Sequence, residues 1–121
     1  MELNINGKNY ELRYGLSFIN RIDNIYTQSM NGVEFGMGVE LLSTYLGMYR
    51  ATALANAISA GTSHLDSQPS KNDIESYLEN LAISDTDKFE QLFDDISEGM
   101  QHAPFLRKTL ENLKSNQEDG K

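Results

Sequence analysis

The 121-residue sequence contains no cysteine, which excludes a disulfide framework, a thiolate zinc site and a cysteine nucleophile, and leaves no mark of an oxidising compartment. Histidine is almost as scarce. Its two copies, His64 and His102, lie on different segments without the His-x-x-x-His or Glu-x-x-His spacing that sets metal ligands on one helical face. Basic residues number ten against eighteen acidic ones, and the one adjacent basic pair is Arg107-Lys108. A nucleic-acid binder needs clustered Lys and Arg to neutralise phosphates, so DNA or RNA binding is not expected. Apolar stretches are broken by polar residues every few positions, and the opening Met1-Glu2-Leu3-Asn4 is neither basic nor followed by an apolar run. Neither a membrane span nor a signal peptide is expected, and the cytoplasm is the default location.

A chain of this length fits one domain and can bury roughly two-thirds of the surface it exposes when unfolded, enough to fold without a staple. The formal net charge of −8 is unevenly spread, with thirteen of the eighteen acidic residues but six of the ten basic ones from Ser63 onward. Such acidity serves solubility on a solvated helical face; the sharper reading is a docking surface for a basic partner.

Residues Leu3 to Tyr14 alternate as strands do, with Leu3, Ile5, Tyr10, Leu12 and Tyr14 on one side. Asn6-Gly7 between them suits the positive φ angles of a type I′ hairpin turn. A lone hairpin is marginal in water, so its apolar face must lie on the helices that follow. Phe18, Ile19, Ile22, Ile25 and Tyr26 then form a helical stripe, with Arg21, Asp23 and Asn24 on the other side. Ser29 to Gly38, with Asn31-Gly32, Gly36 and Gly38 around Val33 and Phe35, reads as a loop with one short extended piece at most. Leu42, Tyr45, Leu46 and Tyr49 mark a second helix and Leu54, Ala57 and Ile58 a third, broken or bent near Gly47 to Arg50. Gly61 to Lys71 is the best candidate for a flexible connection. Ser70-Lys71-Asn72-Asp73 is a capping-box pattern, in its Asp form, ahead of Ile74, Tyr77, Leu78 and Leu81. Ser84-Asp85-Thr86-Asp87 starts a further helix carrying Phe89, Leu92, Phe93, Ile96 and Met100, its acids favoured by the helix dipole. Pro104 suits the first turn of a last helix with Leu106, Leu110 and Leu113 on one face. The expected fold is α+β and mainly α: a single domain over 1–114, with a hairpin over 2–14 and about six amphipathic helices from 15 on, and a polar, frayed and disordered tail over 115–121.

No set of residues makes a catalytic constellation. Asp85 and Asp87 begin like a calcium loop, but Phe89 and Glu90 stand where an oxygen ligand and glycine are needed. Asp94 and Asp95 are helical neighbours pointing roughly 100° apart and cannot share a proton-transfer site. Gly36-Met37-Gly38 offers two glycines of a dinucleotide fingerprint, but Leu41 takes the third position and no βαβ unit surrounds it. No catalytic residue, metal ligand or cofactor is therefore expected. Met30, Met37 and Met48 around the glycine-rich middle fill core or form an adaptable binding surface.

The opening Met1-Glu2-Leu3-Asn4-Ile5-Asn6-Gly7-Lys8-Asn9-Tyr10-Glu11-Leu12-Arg13-Tyr14-Gly15-Leu16, followed by an Ile-rich helix through Asp23, resembles that of the tail assembly chaperones of Gram-positive siphophages. The similarity continues through the Gly-rich segment and amphipathic helix of Val33 to Leu46 and the Ala-rich helix of Ala51 to Ala60. It runs on through Pro69-Ser70-Lys71-Asn72-Asp73-Ile74-Glu75 and its acidic helix to about Met100. The order of these features, rather than any one motif, carries it. The resemblance implies a non-enzymatic binding protein that holds the tape measure protein in the host cytoplasm until the tail tube polymerises, and is absent from the mature virion. It also implies a longer frameshifted product as a route to the tail tube protein; self-association is a further option. The alternative is a structural subunit of a phage particle, of head–tail connector or tail-terminator type. For the partner contact the last helix, with Phe105, Leu106, Leu110 and Leu113, is the favoured surface, since a proline break before it and a polar tail after it make detachment cheap.

Overall fold

A computed structural model describes the backbone of residues 1–30 and 33–119, and the side chains of 1–27 and 37–115. The chain opens with β1 (Glu2–Ile5) and β2 (Lys8–Glu11), antiparallel with Leu3 opposite Tyr10 and Ile5 opposite Lys8. Asn6 and Gly7 take φ of 54° and 82°, both positive, as a type I′ turn requires to match the twist of its strands. The alternation then carries Leu3, Ile5, Tyr10 and Leu12 into the core. The Arg13 N–H donates to the Gly61 carbonyl at 2.9 Å, tying the hairpin's exit to the third helix.

Helix α1 (Leu16–Ile25) buries Phe18 and Ile22. Arg21 and Asp23 do not sit on a purely solvated side. Arg21 Nη1 donates to Ser59 Oγ at 3.3 Å and Asp23 Oδ1 accepts the Gly38 N–H at 3.0 Å, so both side chains bridge to neighbouring helices, while Ile25 is left exposed. Between α1 and the next helix the chain forms a second antiparallel hairpin, β3 (Thr27–Met30) and β4 (Val33–Gly36), with Thr27 opposite Gly36 and Met30 opposite Val33. Two strands stand where a loop is expected from sequence, because closely spaced glycines at 36 and 38 punctuate a short alternation. Asn31-Gly32 lie outside the described residues.

Helix α2 (Gly38–Gly47) begins where a side chain could not be tolerated: a Cβ on Gly38 would lie 2.6 Å from the backbone of Ile22, so glycine permits the close α1–α2 approach. The break predicted near Gly47 to Arg50 is present. Tyr49, read from spacing as part of the apolar stripe, instead leaves the helix with φ of 57° and lays its ring 5.1 Å from Phe93. The alanine-rich α3 (Ala51–Gly61) buries Ala53, Leu54, Ala57, Ile58 and Ala60. Its small side chains let α1, α2 and α4 pack against it.

The connection over 62–70, expected to be flexible, is tied down by its own polar groups. Thr62 is buried with its hydroxyl donating to the Ile58 carbonyl, Gln68 Nε2 donates to the Ser63 and Leu65 carbonyls, and Pro69 is buried. Short polar side chains that bond the local backbone read as loop in sequence and act as clasps in the fold. Helices α4 (Lys71–Ser84) and α5 (Thr86–His102) start at the anticipated caps, Ser70 Oγ accepting from Asp73 N–H at 3.0 Å and Asp85 Oδ1 from Lys88 N–H at 3.2 Å. Leu92, Phe93, Ile96 and Met100 of α5 close the core over α2 and α4. Helix α6 (Arg107–Asp119) packs on α2 and α5. Its backbone stays helical through Asp119, past the point where loss of apolar residues suggested a frayed tail. The architecture is α+β and mainly α: an N-terminal hairpin followed, among the described residues, by six helices.

Candidate functional site

The turn into α6 decides where its apolar residues go. The Ala103 carbonyl accepts from the N–H groups of Leu106 at 3.0 Å and Arg107 at 2.9 Å, so Pro104 occupies a first-turn position where a missing N–H costs nothing. Leu106 and Leu110 are thereby carried into the core, 1% and 7% exposed, while Phe105 on the turn is 59% exposed and Leu113 packs half-buried at the core edge. The four residues singled out in the sequence thus do not share one free face. Docking of the helix on α2 and α5 separates them.

Beside Leu110 and Leu113 a cleft of about 640 Å³ opens between α2, the end of α5 and α6. Ser43, Thr44, Gly47 and Met48 line one wall and Arg107, Glu111 and Lys114 the other, with Gln101 and His102 closing one end. Met48 is 60% exposed, so its thioether stands at the mouth. Met37 is also exposed; the side chain of Met30 lies outside the described residues. Arg107 Nε is 3.9 Å from Glu111, an exposed i,i+4 pair worth little to stability. The cleft was not legible in the sequence because its walls are far apart along the chain. The one available signal was Arg107, Glu111 and Lys114 at helical spacing beside the Leu106, Leu110 and Leu113 stripe.

Elsewhere the polar groups are disposed structurally. Asp94 accepts from the Tyr49 hydroxyl at 2.8 Å and Asp95 from Gln91 Nε2 at 3.0 Å, which keeps the neighbouring carboxylates on separate partners. His102 Nδ1 lies 2.9 Å from the Glu98 carbonyl oxygen, and His64 has its Nε2 buried without a protein partner. Among the described residues no group of three or more His, Asp or Glu is placed to hold a metal ion. Nor is any helix among them long and apolar enough to cross a membrane. Burial raises the phenols of Tyr14 and Tyr77, with Asp95 a second cause at Tyr14; the hydrogen bond to Asp94 raises that of Tyr49. Tyr49 thus has one carboxylate partner, Asp94, at an exposed position, and Tyr14 is enclosed with its hydroxyl unpaired.

A family model described as phage tail assembly chaperone protein, TAC, matches residues 2–114. The chain belongs to that family. No curated protein and no solved structure matches it. The matched span takes in both hairpins, α1 to α5 and the part of α6 that lines the cleft. For a tail assembly chaperone the question put to this surface is therefore which part of it holds a tail protein.

Proposed function

We propose that this tail assembly chaperone binds the tape measure protein and keeps it soluble and competent for assembly in the host cytoplasm, leaving before the virion is complete. The family match over 2–114 carries the tail-assembly role. The choice of partner is supported by a cleft that sets Met48, Leu110 and Leu113 among polar walls, on the surface of a chain of net charge −8. A holder of a long, aggregation-prone chain needs an apolar contact for affinity and excess charge for solubility. It needs no cofactor and no chemical step. Leu110, half-buried Leu113 and the exposed Met48 are apolar groups that the cleft presents for contact, and Phe105 stands exposed on the turn before α6.

Co-expression with the tape measure protein encoded beside it tests this reading: the partner is expected in the soluble fraction and co-purifies with the chaperone. A tape measure protein that aggregates equally with and without the chain overturns the proposal. Mass spectrometry of purified particles addresses the other reading, since a stoichiometric amount of this chain there would make it a structural subunit.

A further inference from the structure

We infer that the cleft between α2 and α6 seats one amphipathic α-helix of the partner, its apolar face entering over Leu110, Leu113 and Met48 and its flanking carboxylates meeting Arg107 and Lys114. The inference rests on the reading above, that the partner is the tape measure protein.

The backbone of the cleft dictates the form of its occupant. Each lining residue belongs to a helix or to a helix end. At the α2 terminus the Thr44, Tyr45 and Leu46 carbonyls already accept from the N–H groups of Met48, Arg50 and Tyr49. Among the described residues no wall offers a strand edge of free N–H and C=O groups, so an entering segment gains no backbone pairing here and must satisfy its own, as a helix does.

Charge dictates the flanks. The chain as a whole repels acidic segments, yet among the described residues Glu111 is the one acidic residue that lines the cleft, and Arg107 and Lys114 rim it. The Arg107 Nε lies 3.9 Å from Glu111 in an exposed pair, a weak contact that a partner carboxylate displaces at small cost. Arg107 and Lys114 are two helical turns apart, roughly 10 Å along α6. A partner helix lying along α6 would match them with acidic residues at one- or two-turn spacing beside its apolar stripe. The volume of about 640 Å³ is in the range of pockets that take a few side chains rather than a whole segment, so the helix lies across the mouth with its apolar residues inserted.

Two measurements test this on the full-length complex made by co-expression. Replacing Arg107→Gln and Lys114→Gln together, both at exposed positions, is expected to weaken retention of the tape measure protein at least tenfold at an unchanged melting temperature. The matched loss of two charges at Lys71→Gln and Lys88→Gln should leave retention within twofold. Equal retention by both pairs, or equal weakening, overturns the inference. A photo-crosslinking p-benzoylphenylalanine at position 48 is expected to capture a tape measure peptide with apolar residues at i, i+3 or i+4 spacing and adjacent Asp or Glu. Capture of a second copy of this chain, or of a segment without that pattern, overturns it as well. If wild-type chaperone retains the partner while these results fail, the cleft is wrong and the proposed function stands; if wild type retains nothing, both fall.

Discussion

Tyr14 shows how a single buried polar atom shapes the behaviour of this protein. Its ring meets Phe18 edge-on at 5.2 Å, while its hydroxyl is buried without a partner. Burial, and secondarily the nearby Asp95, push the phenol up from 10.0 to about 12, because both disfavour the phenolate. A folded-state pKa raised above the unfolded value means that the stability linked to this proton is whole below pH 10 and lost as pH rises through 12. Thermal melts of wild type and Tyr14→Phe should therefore diverge across that window, wild type falling faster. At neutral pH Tyr14→Phe is expected to be neutral or to stabilise by up to about 1 kcal/mol, since it removes an unsatisfied hydroxyl; a larger loss would reveal a hidden partner. Gly7 is the converse, a residue whose side chain would meet nothing within 4 Å but whose φ is 82°. Gly7→Val should cost more than about 1 kcal/mol through the backbone alone, and an unchanged urea midpoint would refute that.

Among the elements, the helices α4 and α5 illustrate local determination: their caps and apolar spacing lie within a few residues, and both start where Ser70 and Asp85 indicate. The hairpin of β3 and β4 carries the same Asn-Gly dipeptide as the first, at 31–32, but Gly36 and Gly38 beside a short alternation mask it, and α6 shows what local pattern omits. Its stripe of leucines is compatible with a free docking face or with a core face; packing on α2 and α5 takes Leu106 and Leu110 into the core. Leu106→Ala should accordingly cost about 2–5 kcal/mol by transfer and cavity formation, while Phe105→Ser, on the exposed turn, should stay within about 0.5 kcal/mol. Denaturant titrations of the two variants measure the difference. Comparable losses would mean that the turn is docked differently.

At the level of the whole molecule, the hairpin of β1 and β2 shares its core with the helices: Leu3, Ile5 and Tyr10 join Phe18, Leu54 and Ile96 in one apolar cluster. We propose on this basis that residues 1–114 unfold as one unit. Helical circular dichroism and the part of the near-ultraviolet tyrosine signal that is lost in a Tyr10→Phe variant, which isolates the hairpin from the other tyrosines, should give coincident melting curves. An early tyrosine transition with helicity intact would show the hairpin to be a separate, weaker layer. If the tape measure protein is held as proposed, with Arg107 and Lys114 at the rim and Met48, Leu110 and Leu113 within the cleft, raising salt should weaken its binding by a few-fold without abolishing it; screening reduces the contribution of the rim and spares the apolar one.

The amino-acid sequence by itself determined the features whose physics is local. An Asn-Gly pair with positive φ, alternation over Leu3 to Leu12, the Ser70 and Asp85 caps, and the 3.6-residue spacing of Phe89 to Met100 each act over a turn or two of chain. Tertiary structure alone decided the rest. Arg21 and Asp23 became bridges because α3 and α2 came within hydrogen-bond reach, Tyr49 left its helix to lie on Phe93, and the four candidate docking residues were divided between core, edge and solvent. The cleft belongs to this second group, since a concavity between α2 and α6 exists only once α5 holds both of them in place, and no periodicity along one segment encodes the distance to another.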